Sequence, residues 1–248
     1  MVAVELPIEV VRGGGRPSTY KNAAGKRIVG VTTITGRFDN KEALIGWAHK
    51  EGKEGRDYAV TRDQAAATGT AVHDAIEAFV TYGAVTDPEF LDLETEEQRH
   101  QAVLAYRSFL QWHAEVSPVI THAEMPIVNE RLQVAGTIDA IGYLNGLRTL
   151  YDWKTSNGIY AGHVVQVGGY GTIWNEKHPD DLIEQYAVCR FGKDGQRHAH
   201  VWAADEMQPA RDCFEQWTAA YRIDAEVQKL LRKRRQSEKE TVEHVQES

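Results

Sequence analysis

The chain has 248 residues, of which 42% are hydrophobic and 26% are charged, and its formal net charge is −8. This composition excludes a disordered chain, and the acidic total weighs against nucleic-acid binding through overall charge alone. Two cysteines are too few for a disulfide framework or an iron–sulphur cluster, and we see no export signal and no apolar run of about 18 residues, so we expect a cytoplasmic protein without a membrane span.

The predicted elements run from helices through strands to a final long helix. The N-terminal part predicts a loop, a hairpin and a strand that enters Thr32–Thr35. Hydrophobic spacing predicts helices at residues 40–53, 63–83, 94–116, 160–178 and 206–235. Strands are predicted at residues 119–128, 132–144 and 147–156, with a further hairpin around Lys193–Gly195. This order predicts an α/β fold with a mixed central sheet flanked by helices and an N-terminal helical layer.

The central predicted hairpin brings two aspartates together. Asn145 and Gly146 lie between two β-rich runs and tolerate the positive φ angles of a type I′ turn. If they form the turn, the register places Asp139 directly opposite Asp152, with Cβ atoms about 4.5–5.5 Å apart. Lys154 lies two residues after Asp152 and therefore shares its face of the sheet.

Two carboxylates placed opposite each other in a covered sheet repel, so they need a proton or a cation between them. Mg²⁺ prefers oxygen ligands and is commonly held by one or two carboxylates together with substrate phosphate. A lysine on the same face can orient water or stabilise developing charge. The pattern therefore predicts a divalent-metal site for phosphate chemistry, and the structural alternative is a salt-bridge cluster at the end of a sheet.

These residues resemble the signature of the PD-(D/E)xK nuclease superfamily, which has an aspartate on one strand and Asp-x-Lys on the next. Asp139 corresponds to the first element, and Asp152, Trp153 and Lys154 correspond to the second. The resemblance implies a restriction-endonuclease-like core.

Two further motifs resemble the RecB-type exonuclease branch of that superfamily. Gly69 and His73 are similar to its G-x-x-x-H motif on an early helix, and Gln166 and Tyr170 are similar to its Q-x-x-x-Y motif on the helix after Asp-x-Lys. All four elements occur in the order of the branch, which includes phage-type and mitochondrial genome maintenance exonucleases.

The resemblance implies a role for each matching residue. The catalytic residues would be Asp139, Asp152 and Lys154. The metal ligands would be His73, Asp139, Asp152, the backbone carbonyl of Trp153 and Glu124. The residues that support the site and the DNA strand would be Gln166 and Tyr170. Beyond the resemblance, the hydroxyl groups of Thr155 and Ser156 could hydrogen-bond a phosphate. The implied cofactor is Mg²⁺ or Mn²⁺, with no iron–sulphur cluster and no nucleotide.

The resulting hypothesis is one nuclease domain spanning residues 1–248. It would consist of an N-terminal hairpin and helices (1–65), a catalytic core (66–203), a C-terminal helix (204–235) and a flexible tail (236–248). Its partner would be single- or double-stranded DNA with a free end, in repair or recombination, and it would cut with little sequence specificity. Because the whole chain is acidic, we expect a local basic channel, with the N-terminal cations (Arg12, Arg16, Lys21, Lys26 and Arg27) and the C-terminal Lys/Arg run as candidates.

Two other functions stay open from the sequence. The chain could bind nucleic acid or a partner on a nuclease fold without cutting, or its carboxylates could hold a metal that only stabilises the fold. Individual residues also have structural alternatives. His73 could border a core, Glu124 could face solvent from its strand, and Thr155 and Ser156 could simply end a strand.

Overall fold

Helices and strands form the elements that the hydrophobic spacing predicts, with one exception near the N-terminus. The computed structural model describes residues 10–13, 17, 19–83, 90 and 92–246. The strands are β1 (Val11–Arg12), β2 (Tyr20–Lys21), β3 (Arg27–Gly30), β4 (Val119–Asn129), β5 (Val134–Leu144), β6 (Leu147–Lys154), β7 (Gln185–Phe191) and β8 (Arg197–Ala203). The helices are α1 (Val31–Phe38), α2 (Glu42–Lys53), α3 (Tyr58–Tyr82), α4 (Glu96–Val116), α5 (Ala161–Lys177) and α6 (Gln208–Gln246).

The central sheet is mixed, as predicted. Its main path runs β1-β4-β5-β6-β7-β8, with β3 paired to β5 and β2 paired to β3. The β4-β5-β6 meander and the β7-β8 hairpin are antiparallel, whereas β6 and β7 are parallel and are joined by the crossover helix α5. Strands β5 and β6 are buried over most of their length, so the sheet is covered on both faces.

The β5–β6 hairpin has the predicted register but opens before the two aspartates. Asn145 and Gly146 have φ angles of 53° and 82°, as a type I′ turn requires. Pairing continues from the turn to Ala140–Tyr151 and ends there, one pair before Asp139 and Asp152 would meet. The predicted cross-strand pairing of the two aspartates is therefore wrong.

The two strands diverge where β5 exchanges β6 for β3 as its neighbour, while β6 stays paired with β7. β6 continues alongside β7 as far as Lys154, which pairs with Arg190. β4 follows one edge of β5 throughout, so β3 takes the other edge, where Val29 pairs with Val134. We call this divergence of β5 from β6 the strand fork.

Helices cover the two faces of the sheet with separate apolar layers. One layer joins α1, α5 and α6 to the sheet through Ile34, Trp174 and Phe214. The other joins α3 and α4 to it through a cluster that includes Ile76 and Phe109. The fork lies between the two layers, so a residue at its mouth is reached from both helical layers.

The prediction of a strand at Thr32–Thr35 is wrong, because β3 ends at Gly30 and helix α1 follows directly. The β-branched run favours a strand locally. In the fold, however, Val31 and Ile34 are spaced three residues apart and are both fully buried, as one face of a helix requires. Tertiary packing against α5 and α6 therefore outweighs the local preference.

The C-terminal helix extends beyond the sheet. Its backbone is helical to Gln246, past residue 235 where the sequence analysis ends the helix, and the flexibility expected for residues 236–248 stays a prediction. The side chains of residues 225–236 are exposed. Within the described part of the chain, every helix is too short or too polar to cross a membrane.

Candidate metal centre

Asp139 lies at the mouth of the strand fork. Its Oδ2 accepts a hydrogen bond from the backbone N–H of Trp153 at 2.8 Å. That N–H has lost its partner on β5 because the ladder ends two residues earlier on β6, at Tyr151. The carboxylate therefore bridges the two diverging strands, and its side chain is only 3% exposed.

Glu124 faces Asp139 from the neighbouring strand β4. The pairs Ala123–Ala140 and Met125–Ile138 bracket these two residues, and a β-bulge between Ile120 and His122 sets this register. Without the extra residue in the bulge, the side chains of the following segment would shift by one position relative to β5. Glu124 is also the residue of this strand with a left-handed backbone, at φ 45°.

A left-handed glutamate inside a strand is strained by about 1–2 kcal/mol. Such strain persists where the surrounding structure holds it, and it concentrates at functional sites. Glu124 is 5% exposed, which corrects the alternative of a solvent-facing strand glutamate.

His73 reaches the two carboxylates from helix α3. Its Nδ1 lies 3.8 Å from Asp139 Oδ1. The helix can approach closely because residue 69, one turn earlier, is glycine. A Cβ on Gly69 would lie 3.0 Å from the Thr155 hydroxyl at the end of β6. This contact gives a physical reason for both ends of the G-x-x-x-H motif.

The three side chains His73, Glu124 and Asp139 each offer one ligand atom, and these atoms all lie within 4.8 Å of one another. A nitrogen and two carboxylate oxygens at this separation fit a divalent cation, and carboxylate oxygens are the ligands that Mg²⁺ and Mn²⁺ prefer. The two buried acids would repel each other without a cation or proton. The donor set therefore fits the predicted metal.

Asp152 and Lys154 form the second part of the site. The Lys154 ammonium lies 2.7 Å from Asp152 Oδ2, and the Asp152 side chain is 1% exposed. Asp152 is not part of the compact three-residue group within the described residues, because its carboxylate is directed toward the lysine and the Gln166 amide.

Gln166 connects the residues of this second part. Its amide nitrogen donates to Asp152 Oδ1 and lies 3.1 Å from the Tyr170 hydroxyl, and its amide oxygen accepts from Lys154 at 3.3 Å. Gln166 and Tyr170 are four residues apart on α5 and therefore share one face. The Q-x-x-x-Y motif thus fixes the orientation of the aspartate–lysine pair.

A cavity of about 230 Å³ opens at the fork. Eight of the ten predicted site residues line this cavity, and the two that do not are Glu124 and Asp152. Thr32, which was not predicted, also lines it. The complete lining is Thr32, His73, Asp139, Trp153, Lys154, Thr155, Ser156, Gln166 and Tyr170. The Trp153 ring packs on the far side of the sheet against Phe109 and Trp112.

Several supporting residues have no sequence motif that would identify them. Thr32 enters the cavity from the first turn of α1. The Tyr20 hydroxyl forms a 3.0 Å hydrogen bond with the hydroxyl of Thr137, which lies on β5 two residues before Asp139. The nearly buried Arg190 donates through Nε to the Ser156 carbonyl at 2.7 Å, which fixes the loop after β6. Arg190 could have been identified as a site neighbour only from its pairing with Lys154, and that pairing requires knowledge of the parallel β6–β7 register.

His163 is a further neighbour of the site that the sequence analysis left without a role. It lies three residues before Gln166 on α5, and its Nδ1 accepts the Tyr160 N–H at 3.3 Å. Burial, and secondarily the positive charge of Lys154, lower the pKa of His163 to about 4. The ring is therefore neutral at pH 7.

The sequence matches no described protein family and no curated protein. Among solved structures it is similar to an alkaline exonuclease from Laribacter hongkongensis, at 12% identity and a TM-score of 0.37, over 63% of this chain and 89% of that one. The same enzyme in complex with dAMP gives 13% identity and a TM-score of 0.31, over 66% and 91%. A protein from Eubacterium rectale assigned as an exonuclease gives 15% and 0.35, over 75% and 69%.

Proposed function

We propose that this protein is a divalent-metal-dependent deoxyribonuclease of the RecB-type branch, which hydrolyses phosphodiester bonds from a DNA end with little sequence specificity. One observation carries the proposal. A compact group of metal-ligating atoms from His73, Glu124 and Asp139 lies at the strand fork, beside the ion pair between Asp152 and Lys154.

The metal would be Mg²⁺ or Mn²⁺, held by His73, Glu124 and Asp139 with Asp152 beside them. When bound, it supplies Lewis-acid polarisation of a phosphate and favours deprotonation of water. The carboxylate donors and the single imidazole match this chemistry, and the separation of their ligand atoms is short enough for one ion.

The remaining residues bind and orient the substrate. Lys154 Nζ holds a positive charge at the cavity wall, where it can stabilise the charge that develops on the phosphate. Gln166 keeps this ammonium beside Asp152. The hydroxyl groups of Thr32 and Thr155 belong to residues of the cavity wall and can donate to phosphate oxygens, whereas the Ser156 hydroxyl donates to the Gly158 carbonyl at 2.8 Å.

Low sequence specificity follows from the nature of these groups. The cavity offers hydroxyl, ammonium and carboxylate groups, which recognise a phosphate with its metal. Contacts to phosphate do not report the identity of a base. Exonuclease action, in preference to endonuclease action, rests on the resemblance of the sequence motifs.

The proposal is tested with end-labelled single-stranded, blunt double-stranded and circular DNA, each incubated with Mg²⁺, with Mn²⁺ or with EDTA. We expect digestion of the linear substrates with metal, none with EDTA, and resistance of the circle. Asp152→Asn should lower turnover by at least about a thousandfold. Asp180→Asn, which changes an exposed aspartate in the turn after α5, is the matched control.

A melting temperature of Asp152→Asn close to that of the unaltered protein would show that the fold is intact. Activity within about twofold of the unaltered protein would then refute metal catalysis at this position. Binding of DNA without cleavage under all divalent ions would favour the non-cleaving binding module instead.

A further inference from the structure

A second depression adjoins helix α1, next to the cavity at the fork. It is a groove of about 590 Å³ between α1 and α6, more than twice the volume of the cavity at the fork. Thr32 lines the cavity, whereas the next residue, Thr33, lines the groove. The two spaces therefore adjoin the same first turn of α1.

The walls of the groove carry cations from both helices. Arg37 lines it from α1 and Arg232 lines it from α6. Arg232 also belongs to the run KLLRKRR at 229–235, which has five cations and no acidic residue. Since the chain as a whole has a net charge of −8, this run is a strong local departure from the average.

Neutral groups of the groove suit a strand of nucleic acid. Tyr221 offers an aromatic face, and Gln228 offers an amide between Tyr221 and Arg232 along α6. Aromatic side chains inside a basic groove are the combination that binds single strands without sequence readout.

We infer, on the premise of the proposed nuclease function, that this groove binds the DNA strand next to the scissile phosphate. The strand would pass over the first turn of α1 between the metal centre and the groove. The exposed basic run of α6 would then follow its phosphates outward.

A substitution at Asp224 should strengthen DNA binding, whereas loss of the groove cations should weaken it. Its Oδ2 accepts from Arg37 Nη2 at 2.8 Å inside the groove, so the carboxylate takes the place beside Arg37 that a phosphate oxygen would take. Removing its charge should release Arg37 for DNA and remove a repulsive group. Asp224→Asn is therefore expected to tighten binding.

Gly36 gives a variant that changes shape without changing charge. A Cβ at Gly36 would meet no atom within 4 Å, so packing leaves room for a side chain there. A leucine at this helical position would project into the groove and narrow it. Gly46 on α2 has equally open surroundings and provides the matched control.

The experiment measures fluorescence anisotropy of a labelled single-stranded oligonucleotide at several salt concentrations, in EDTA so that no cleavage occurs. We expect Arg232→Gln combined with Lys233→Gln and Arg235→Gln to weaken binding at least about tenfold, and to reduce the slope of log affinity against log salt by about 2. Gly36→Leu should weaken binding about fivefold, and Asp224→Asn should tighten it about threefold. Lys177→Gln and Gly46→Leu should leave the affinity unchanged.

A second readout separates this inference from the nuclease proposal. With Mg²⁺ present, Gly36→Leu and the triple variant of the basic run should raise KM for long DNA, and Asp224→Asn should lower it. All of them should leave kcat unchanged, whereas Asp152→Asn should abolish kcat. Hydrolysis by every groove variant with unaltered affinity, KM and salt slope would overturn the groove and leave the nuclease proposal standing. Binding that responds as expected in a protein that never cuts would support the groove and overturn the nuclease.

Light scattering tests whether a second copy of the chain, and not DNA, occupies the groove. The exposed part of α6 also carries Ile223, Val227 and Leu230, which lie near one face of the helix. If the groove variants change the molecular mass in solution and leave DNA affinity unaltered, the surface joins two copies of the chain and the inference is wrong.

Discussion

The carboxylate of Asp139 accepts the backbone N–H of Trp153 across the point where β5 and β6 separate. The same carboxylate also offers an oxygen to the group formed with His73 and Glu124. Asp139 therefore holds the strand fork together and, in our proposal, holds the metal.

These two roles predict different results for two substitutions of Asp139. In Asp139→Asn, the amide oxygen can still accept the Trp153 N–H, so the melting temperature should stay close to that of the unaltered protein while turnover falls by at least about a hundredfold. Asp139→Ala leaves a buried N–H without its acceptor and should also cost about 1–3 kcal/mol of unfolding free energy. Urea denaturation and DNA digestion check both. Equal stability of the two variants would contradict the bridging role.

Replacing Glu124 by glycine should raise the stability of the metal-free protein and weaken metal binding. Glycine tolerates the φ angle of 45° at this position, and its introduction also removes one of two buried, mutually repelling acids. Without metal, Glu124→Gly should therefore melt at a higher temperature than Glu124→Gln. Both variants should lose most of the stabilisation that Mn²⁺ gives the unaltered protein. Differential scanning calorimetry with and without Mn²⁺ makes the comparison, and a Mn²⁺ response that survives in both variants would exclude Glu124 as a ligand.

Adding a single methyl group at Gly136 should lower the activity. A Cβ at this position would lie 2.5 Å from Tyr170 Cε1, so alanine must displace the ring whose hydroxyl contacts Gln166. We expect Gly136→Ala to lower kcat about tenfold or more and to cost about 1–3 kcal/mol of stability. Gly46→Ala is the control, because its open surroundings on α2 predict a gain of about 0.5–1 kcal/mol. Unchanged kcat in Gly136→Ala would show that the position of Tyr170 does not matter for catalysis.

Lys154 separates a catalytic site from a metal site that only stabilises the fold. Lys154→Met keeps the length of the side chain and removes its charge. Because Lys154 forms its ion pair with Asp152, which lies outside the three-residue group, Mn²⁺ affinity measured by calorimetry should change less than about threefold, while turnover should fall at least about a hundredfold. A purely structural metal would leave no reaction for the substitution to alter.

The lowered pKa of His163 predicts that the folded protein loses stability in weak acid. Its pKa in the folded protein is about 4, below the value of about 6.5 in an unfolded chain. Between these values the unfolded state binds the extra proton, so the unfolding free energy falls as pH falls, by up to about 1.4 kcal/mol per pH unit for one histidine. His163→Phe should reduce the difference between urea midpoints at about pH 7 and about pH 5.

His113 supplies the comparison for that measurement. Burial lowers its pKa as well, on the opposite face of the sheet, so His113→Phe should reduce the same pH dependence without affecting the metal centre. If neither substitution changes the difference between the two midpoints, the acid sensitivity has another origin.

The sequence was sufficient for the register of the hairpin, because that register depends on local chemistry, whereas the grouping of the site residues was expected from the resemblance. An Asn-Gly turn sets the register of β5 against β6 through five successive pairs. The four motifs then place His73, Asp139, Lys154 and Gln166 around one cavity, as the resemblance implies.

The strand fork could not be predicted from local sequence. It depends on β3 and β7, which come from distant parts of the chain: β3 takes the edge of β5 that β6 leaves, and β7 stays paired with β6. The bulge before His122 has the same character, because only the pairing with β5 shows that it places Glu124 opposite Asp139. The helix at Val31–Phe38 was missed for a related reason, since its β-branched residues are held helical by the layer on which they pack.

The position of β3 has a consequence for attempts to isolate a minimal active fragment. The segment that closes the open edge of β5 also supplies Thr32 to the cavity wall and Tyr20 to the hydrogen bond with Thr137. Residues 19–38 therefore support the proposed metal site and are not a removable extension. A fragment that starts at residue 66, where the core was expected to begin, would expose the backbone of β5 beside the metal ligands. Such a truncated chain should recruit a foreign strand at that edge and aggregate before it could bind its ion.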